Sequence, residues 1–145
     1  MIEISWVTEQ LCVGKAPQDD DFLYLKRAGI KGIVDVRSEY CDNKELIERL
    51  GMEFLHLEID DAYIPKKDDL DKLFEFVIPL LDKKEKIFVH CQNGVGRSPL
   101  ICVVIMVKLG KEIPDAVRLV EEKHPWTSFN LIQEKFIYSE LKNLV

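Results

Sequence analysis

Residues 87–100 read IFVHCQNGVGRSPL: β-forming residues run up to His90 and Cys91, glycines stand at 94 and 96, and Arg97, Ser98 and Pro99 follow. A strand that passes through such a loop into a helix start is where open α/β sheets bind ligands, and the peptide dipoles there favour an anion. Gly94 and Gly96 permit backbone angles that other residues resist, so consecutive N–H groups can turn inward as an oxyanion cradle. The planar fork of Arg97 can grip two oxygens of one phosphate. A thiol facing that positive site is favoured as its thiolate, which makes Cys91 a nucleophile aimed at phosphorus. A cysteine at a strand end can also be a small buried hydrophobe. The complete string HCxxGxGRS, a chance event of about 10⁻⁸ per position at ordinary residue frequencies, decides for the chemical reading, given its place between strand and helix.

The elements that must position this loop follow from periodicity. ISWV and QLCVG read as short strands, and QDDDFLYLKRAG as a helix from about Asp20 to Ala28 closed by Gly29. KGIVDV is a buried strand, NKELIERLG a short helix ending at Gly51, and EFLHLEI a further strand. The loop DDAYIPKK precedes a helix capped by Asp68 or Asp69, with Leu70, Leu73, Phe74 and Val77 on one stripe and Pro79 expected to kink or end it. After the KIFVH strand the chain reads as three helices: SPLICVVIMVKLG, apolar nearly all round; IPDAVRLVEEKHP, with Pro114 in its first turn; and one from about Asn130 to Leu144. Alternating strands and helices predict a single α/β domain spanning 1–145, with a mostly parallel central sheet and helices on both faces.

Bulk composition narrows the partners. A chain of 145 residues, 47% hydrophobic, suits one core, and a formal charge of −6 argues against nucleic acid or an anionic membrane held on a broad basic surface. No apolar run approaches the roughly 20 residues that span a bilayer, and MIEISWVTEQ lacks signal-peptide character, so the expected location is cytoplasmic. Cys12, Cys41, Cys91 and Cys102 are widely spaced, which predicts free thiols and no metal site.

At these residues the chain resembles the cysteine-based protein tyrosine phosphatase superfamily, signature HCxxGxxR[S/T], and most nearly its compact dual-specificity and archaeal-type members. LCVGKAP, IVDVR, IDDAYIP and HPWTSFNLIQEKF extend the likeness over most of the chain. The resemblance implies a protein tyrosine phosphatase-like fold and hydrolysis of phosphate monoesters on phosphorylated proteins through a phosphocysteine, without cofactor or metal, by a monomer. Cys91 is then the nucleophile and Arg97 the clamp, and the backbone amides of Gln92, Asn93, Gly94, Val95, Gly96 and Arg97 bind the phosphate. Ser98 hydrogen-bonds the sulfur and His90 supports the loop, although Ser98 can equally cap the helix and His90 can be structural. We expect Ser98 to do both.

Leaving-group departure needs a proton donor and phosphoenzyme hydrolysis needs a base, and one carboxyl can be both. The resemblance places it in LEIDDAYIP. Ile59, Asp61 and Pro65 reproduce the usual spacing and favour Asp61, while an ungapped count back from Cys91 favours Asp60. Asn130 and Gln133 fall where relatives place polar residues near the attacking water; Asn130 also suits a helix cap. Asp35 and Arg37 read as a strand-end pair, Tyr63 and Tyr40 as walls of the entrance or plain aromatics, Met106 and Trp126 as packing. Cys102 reads as core, with a disulfide to Cys91 as the other possibility. Phosphoinositide or RNA 5′-phosphate substrates, and a non-catalytic phosphoprotein-binding module, are the competing readings; the absence of lysine or arginine within Gln92–Gly96 weighs against the highly anionic substrates.

Overall fold

The computed structural model describes residues 2–145. Five strands form one sheet in the order β1-β2-β5-β3-β4: β1 Ile4–Trp6, β2 Leu11–Gly14, β3 Ile30–Asp35, β4 Glu53–His56 and β5 Lys86–His90. Only β1 runs antiparallel; β2, β5, β3 and β4 pair in parallel. β5 thus lies between two parallel neighbours, and its alternating side chains feed two cores. Ile87, Val89 and Cys91 face one with Leu73, Val77, Ile101 and Ile105, whereas Phe88 faces the other with Phe22, Leu25 and Ile47. Burial on both sides explains why KIFVH reads as an apolar run instead of an alternating one.

Helices α1 (Asp21–Arg27) and α2 (Lys44–Arg49) supply the smaller core. The larger core is built by α3 (Lys67–Asp82), α4 (Arg97–Lys108) and α5 (Ile113–Lys123), and by the turns that follow α6 (Leu131–Lys135). α4 is buried from Arg97 to Met106, as its unbroken apolar surface predicts.

Local details depart from expectation where tertiary contacts intervene. α3 begins at Lys67, before both expected caps, because Asp69 reaches back to accept from the Lys66 N–H at 2.8 Å. It also runs through Pro79 to Asp82, since the missing amide falls in the last turn, where little helix remains to break. The expected final helix is an α-turn only to Lys135, then a π-turn over Phe136–Glu140 and a 3₁₀ turn over Leu141–Asn143. That unwinding leaves Phe136, Ile137 and Leu141 all buried. β4 stops at His56, so the expected strand is shorter than its apolar pattern; Leu57 bonds instead to the Asp35 carbonyl at 2.8 Å as the chain turns toward the site. Trp126, read as packing, is 59% exposed and leans on His124.

Candidate active site

The loop from Cys91 to Gly96 leaves β5 and enters α4 at Arg97. Three of its carbonyls are held by partners outside the loop: Gln92 O accepts from the Ala16 N–H at 3.2 Å, Val95 O from the Ser128 N–H at 2.9 Å, and Gly94 O meets the ring Nε2 of buried His124. Tying the carbonyls outward turns the intervening amides inward, and the Gly94 N–H points at Cys91 Sγ from 3.3 Å. Gly94 has φ +70°, and a Cβ there would lie 2.9 Å from the Gly14 carbonyl carbon, so glycine is required twice over. Gly96 has an ordinary φ of −122°; its constraint is the Gln133 amide, 3.1 Å from where a Cβ would be.

Ser98 Oγ lies 3.2 Å from Cys91 Sγ, both buried. Its expected second role fails: Gly96 occupies the N-cap, the Ser98 side chain makes no cap bond, and Pro99 sits at the third helical position instead of the first. Beginning the helix two residues earlier is what turns the hydroxyl back to the sulfur.

Arg97 is buried, and its five N–H donors can be followed one by one. Nη1 donates to Glu39 Oε1 at 2.7 Å and to the Ile59 carbonyl at 2.8 Å, and Nη2 donates to Glu39 Oε2 at 2.8 Å. The remaining edge, Nε with the second Nη2 hydrogen, is free, and Nε is buried without an acceptor. The nearest carboxylate, Asp61 Oδ1, stays 3.7 Å from it. Glu39 therefore grips the back of the guanidinium and leaves a two-donor fork facing the cleft. Burial opposes the charge on Arg97, but the bond to Glu39 and the neighbouring Cys91 and Asp61 raise its pKa further. The same hydrogen bond, with the Arg97 charge, holds the Glu39 carboxyl down at about 2.

Cys91, Arg97, Asn93, Val95 and Gly96 line a cleft of about 330 Å³ with Asp61, Ala62, Ser128, Asn130 and Gln133. Asp61, 86% exposed along its side chain, is thus the carboxyl at the mouth. Asp60 is turned to the Ser38 hydroxyl and does not line the cleft. The turn that presents Asp61 includes Ala62 at φ +69°, a strained angle for alanine, closed by Tyr63 N–H to Asp60 O at 3.0 Å. Asn130 Nδ2 holds the Ala62 carbonyl at 2.9 Å and Gln133 Nε2 the Tyr63 carbonyl at 3.4 Å. Asn130 also caps α6 through the Gln133 N–H at 2.8 Å, as one reading of that residue expects, and the start of α6 clamps the acidic turn. Tyr63 and Tyr40 are exposed, and neither lines the cleft.

Behind the loop, Arg37 is more than half of a strand-end pair. It donates to Asp35 at 2.9 and 3.0 Å, to Asp42 at 3.0 Å and to Gln92 Oε1 at 2.9 Å. Asp42 also meets His90 Nε2, and His90 Nδ1 lies 3.2 Å from the Cys91 carbonyl. One buried network thereby holds two successive loop residues, Cys91 through His90 and Gln92 through Arg37. Asp35, Asp42 and His90 have the donor types of a metal site; Arg37 bridges the two carboxylates and already supplies the cation. Glu39, Asp42 and His124 carry no sequence signal for these roles, because an acid in a loop and a histidine at a helix end read as surface. Burial pushes the Cys102 thiol up, and the charge of Cys91 adds to it; Cys12 is likewise raised, first by burial. Both are packing groups.

Comparison with known proteins agrees with this geometry. A family model described as "Tc-R-P: Polymorphic toxin system, DSP-PTPase phosphatase" matches residues 9–111. The human phosphatidylglycerophosphatase and protein-tyrosine phosphatase 1 is 29% identical over 98 residues, covering 63% of this chain and 49% of its own length. PRL-1 phosphatase of Drosophila melanogaster is 28% identical over 104 residues, covering 68% and 57%. The chain thus spans about half the length of these curated relatives. Among solved structures, Tk-PTP in its active form superposes with a TM-score of 0.85 at 21% identity, over 98% of this chain and 97% of that one. PTPMT1 superposes with a TM-score of 0.88 at 18% identity, over 98% and 96%. These likenesses carry the tyrosine phosphatase-like fold.

Proposed function

This chain belongs to the dual-specificity branch of the cysteine-based protein tyrosine phosphatase superfamily, and on that premise we propose that it hydrolyses phosphate monoesters on proteins through a phosphocysteine, acting as a cytoplasmic monomer. The observation that carries the reading is the pairing in one cleft of a buried sulfur with a buried arginine edge that has two free donors. A phosphoryl group held on that edge would share the cleft with Cys91 Sγ, toward which the Gly94 N–H already points.

The steps follow from the groups present. Cys91 Sγ, as thiolate, donates its electron pair to phosphorus while the bond to the leaving oxygen breaks; Asp61, at the mouth, gives that oxygen its proton. The equatorial oxygens gain charge, which the Arg97 fork and the loop amides, fixed in advance by Glu39 and by the outward carbonyls, stabilise without reorganisation. Water, losing its proton to the same Asp61, then displaces the sulfur, and the Ser98 hydroxyl donates to the departing thiolate. The Cys91 thiolate, the protonated Asp61 and inorganic phosphate result, which restores the starting state.

For the substrate, Gln92 to Gly96 add no side-chain cation to the loop, which supports a monoester with a single phosphate over a polyphosphate. A second reading, an inositol lipid phosphate, is favoured by one observation: a superposable structure is PTPMT1 in complex with PI(5)P. Hydrolysis of para-nitrophenyl phosphate (pNPP), a phosphotyrosine peptide and a short-chain phosphatidylinositol phosphate in EDTA separates them. The expected result is peptide turnover above lipid turnover, abolished by Cys91→Ser, with the basic limb of the peptide pH profile lost in Asp61→Ala and retained in Asp60→Ala. A folded wild type that hydrolyses none of the three would refute the reading.

A further inference from the structure

A second and larger cleft, about 940 Å³, adjoins the phosphate cleft through Asn93, which lines both. Its floor is five consecutive residues, Ile2 to Trp6, together with Gly14, Lys15 and Ala16. Those five residues include the whole of β1, the outermost strand on its side of the sheet. An edge strand directs alternate backbone N–H and C=O groups away from its single neighbour. Among the described residues, none of the backbone groups of 2–6 has a partner outside the β1–β2 ladder. The edge is not open on its flanks. Ile2, Ile4 and Trp6 pack toward Tyr24 on one face, Ser5 bonds His124 at 2.7 Å on the other, and Trp126 stands beside it. The result is a cleft along the free edge of β1, with side chains packed on both faces of that strand and unpaired main-chain groups along it.

The direction of the strand fits the same occupant. Lys15 and Glu3 both line the slot, and neither has an ion-pair partner among the described residues, so the slot offers one local cation beside one carboxylate. Because β1 is antiparallel to β2 and Ile4 sits opposite Gly14, the Ile4 end of the slot lies at the phosphate loop and the Trp6 end leads away from it. An added strand would stand three inter-strand spacings from β5, about 14 Å, a distance that about four extended residues cover.

We propose that the slot along β1 receives the polypeptide flanking the phosphorylated residue, which adds to the sheet as a sixth strand and places an acidic side chain against Lys15. This rests on the phosphatase reading above and names the part of the substrate that the phosphate cleft does not hold. Main-chain pairing supplies affinity with little sequence demand, and Lys15 adds a preference for acidic flanks. A lipid headgroup would leave the row of edge amides and carbonyls unused.

The probe is a phosphotyrosine peptide with eight alternating glutamate and valine residues on each side, compared with the same peptide cut to one residue on each side and with pNPP. The full peptide is expected to have a kcat/KM at least tenfold above the short one, carried by KM. N-methylation at successive flank positions should weaken it at every second position, about two- to tenfold for each bond lost. In the Cys91→Ser protein, bound full peptide should slow amide exchange at residues 4–6, and Lys15→Glu should shrink the full-to-short ratio. Equal kcat/KM for long and short peptides, a methylation profile without alternation, or a wild-type dimer closed through β1 would each overturn the inference while pNPP hydrolysis stands. Loss of pNPP and peptide hydrolysis together would remove the catalytic reading and this one with it.

Discussion

Arg97→Lys removes the feature on which the catalytic reading rests, and its cost can be worked from the donor count. Glu39 and the Ile59 carbonyl use three of the five guanidinium hydrogens, so two remain for phosphate. An ammonium has three hydrogens in a tetrahedral array and no planar edge. With Glu39 and Ile59 still waiting as acceptors, it can offer one hydrogen to a phosphate oxygen at best. At a preorganised oxyanion site one lost donor costs about 10²–10³ in rate, or about 2.7–4 kcal/mol. Arg97→Lys is therefore expected to lower kcat/KM on pNPP by about 10²–10³, and Arg97→Ala, which loses both donors, by about 10⁴ or more. The assay is steady-state hydrolysis beside a thermal melt that certifies folding. A folded Arg97→Lys protein within tenfold of wild type would show that the free edge is not where phosphate binds, and the donor argument would fall.

Other consequences of the geometry can be checked separately. The Glu39 carboxyl sits at about 2 when folded against an ordinary 4.5, so its pairing with Arg97 stabilises the fold above pH 4.5 and is lost as pH falls toward 2. Glu39 is 45% exposed, which screens the pair to within about 1 kcal/mol; Glu39→Gln should flatten the dependence of the urea midpoint on pH between 5 and 3, and an unchanged slope would refute the pairing. Gly94→Ala, which puts a Cβ 2.9 Å from the Gly14 backbone at φ +70°, should cost about 1–3 kcal/mol in denaturant unfolding and most of the activity. Gly96→Ala meets only the end of Gln133 and should cost less; the reverse order would sink the account of the loop. Asp42→Ala strands buried donors on Arg37 and His90 and should destabilise by about 2–4 kcal/mol, with Asp42→Asn, which keeps one acceptor oxygen, losing about half of that. Equal losses in urea titration would show that Asp42 does not bridge them.

Some features were legible from local chemistry because few physical alternatives exist. A buried β-run, a thiol, two spaced glycines and an arginine at a helix start point to an anion cradle, and the alternation of strands and helices allows little except a covered parallel sheet. That Asp61 and not Asp60 lines the cleft depends on a turn held by Asn130 and Gln133, nearly seventy residues away in the chain. Ser98 reads as a cap as well as a partner of the sulfur because Ser-Pro is a common helix opening; the cap role fails and the sulfur contact stands because the helix starts at Arg97, with Gly96 at its N-cap.

The division has one physical cause. Residue type and spacing dictate what a short segment can do, since backbone angles, peptide dipoles and side-chain donors act within a few residues. The string from His90 to Ser98 thus specified a strand–loop–helix turn with a thiol and an arginine at its two ends, and the periodicities determined the α/β layering. Orientation and charge balance are set by groups far apart in the chain. Glu39 leaves a fork of Arg97 free, Asp42 ties Arg37 to His90, His124 fixes the Gly94 carbonyl, and β1 ends as an unpaired edge beside the phosphate loop. Only closure of the sheet brings those partners within hydrogen-bonding distance, and the tertiary structure alone decided them.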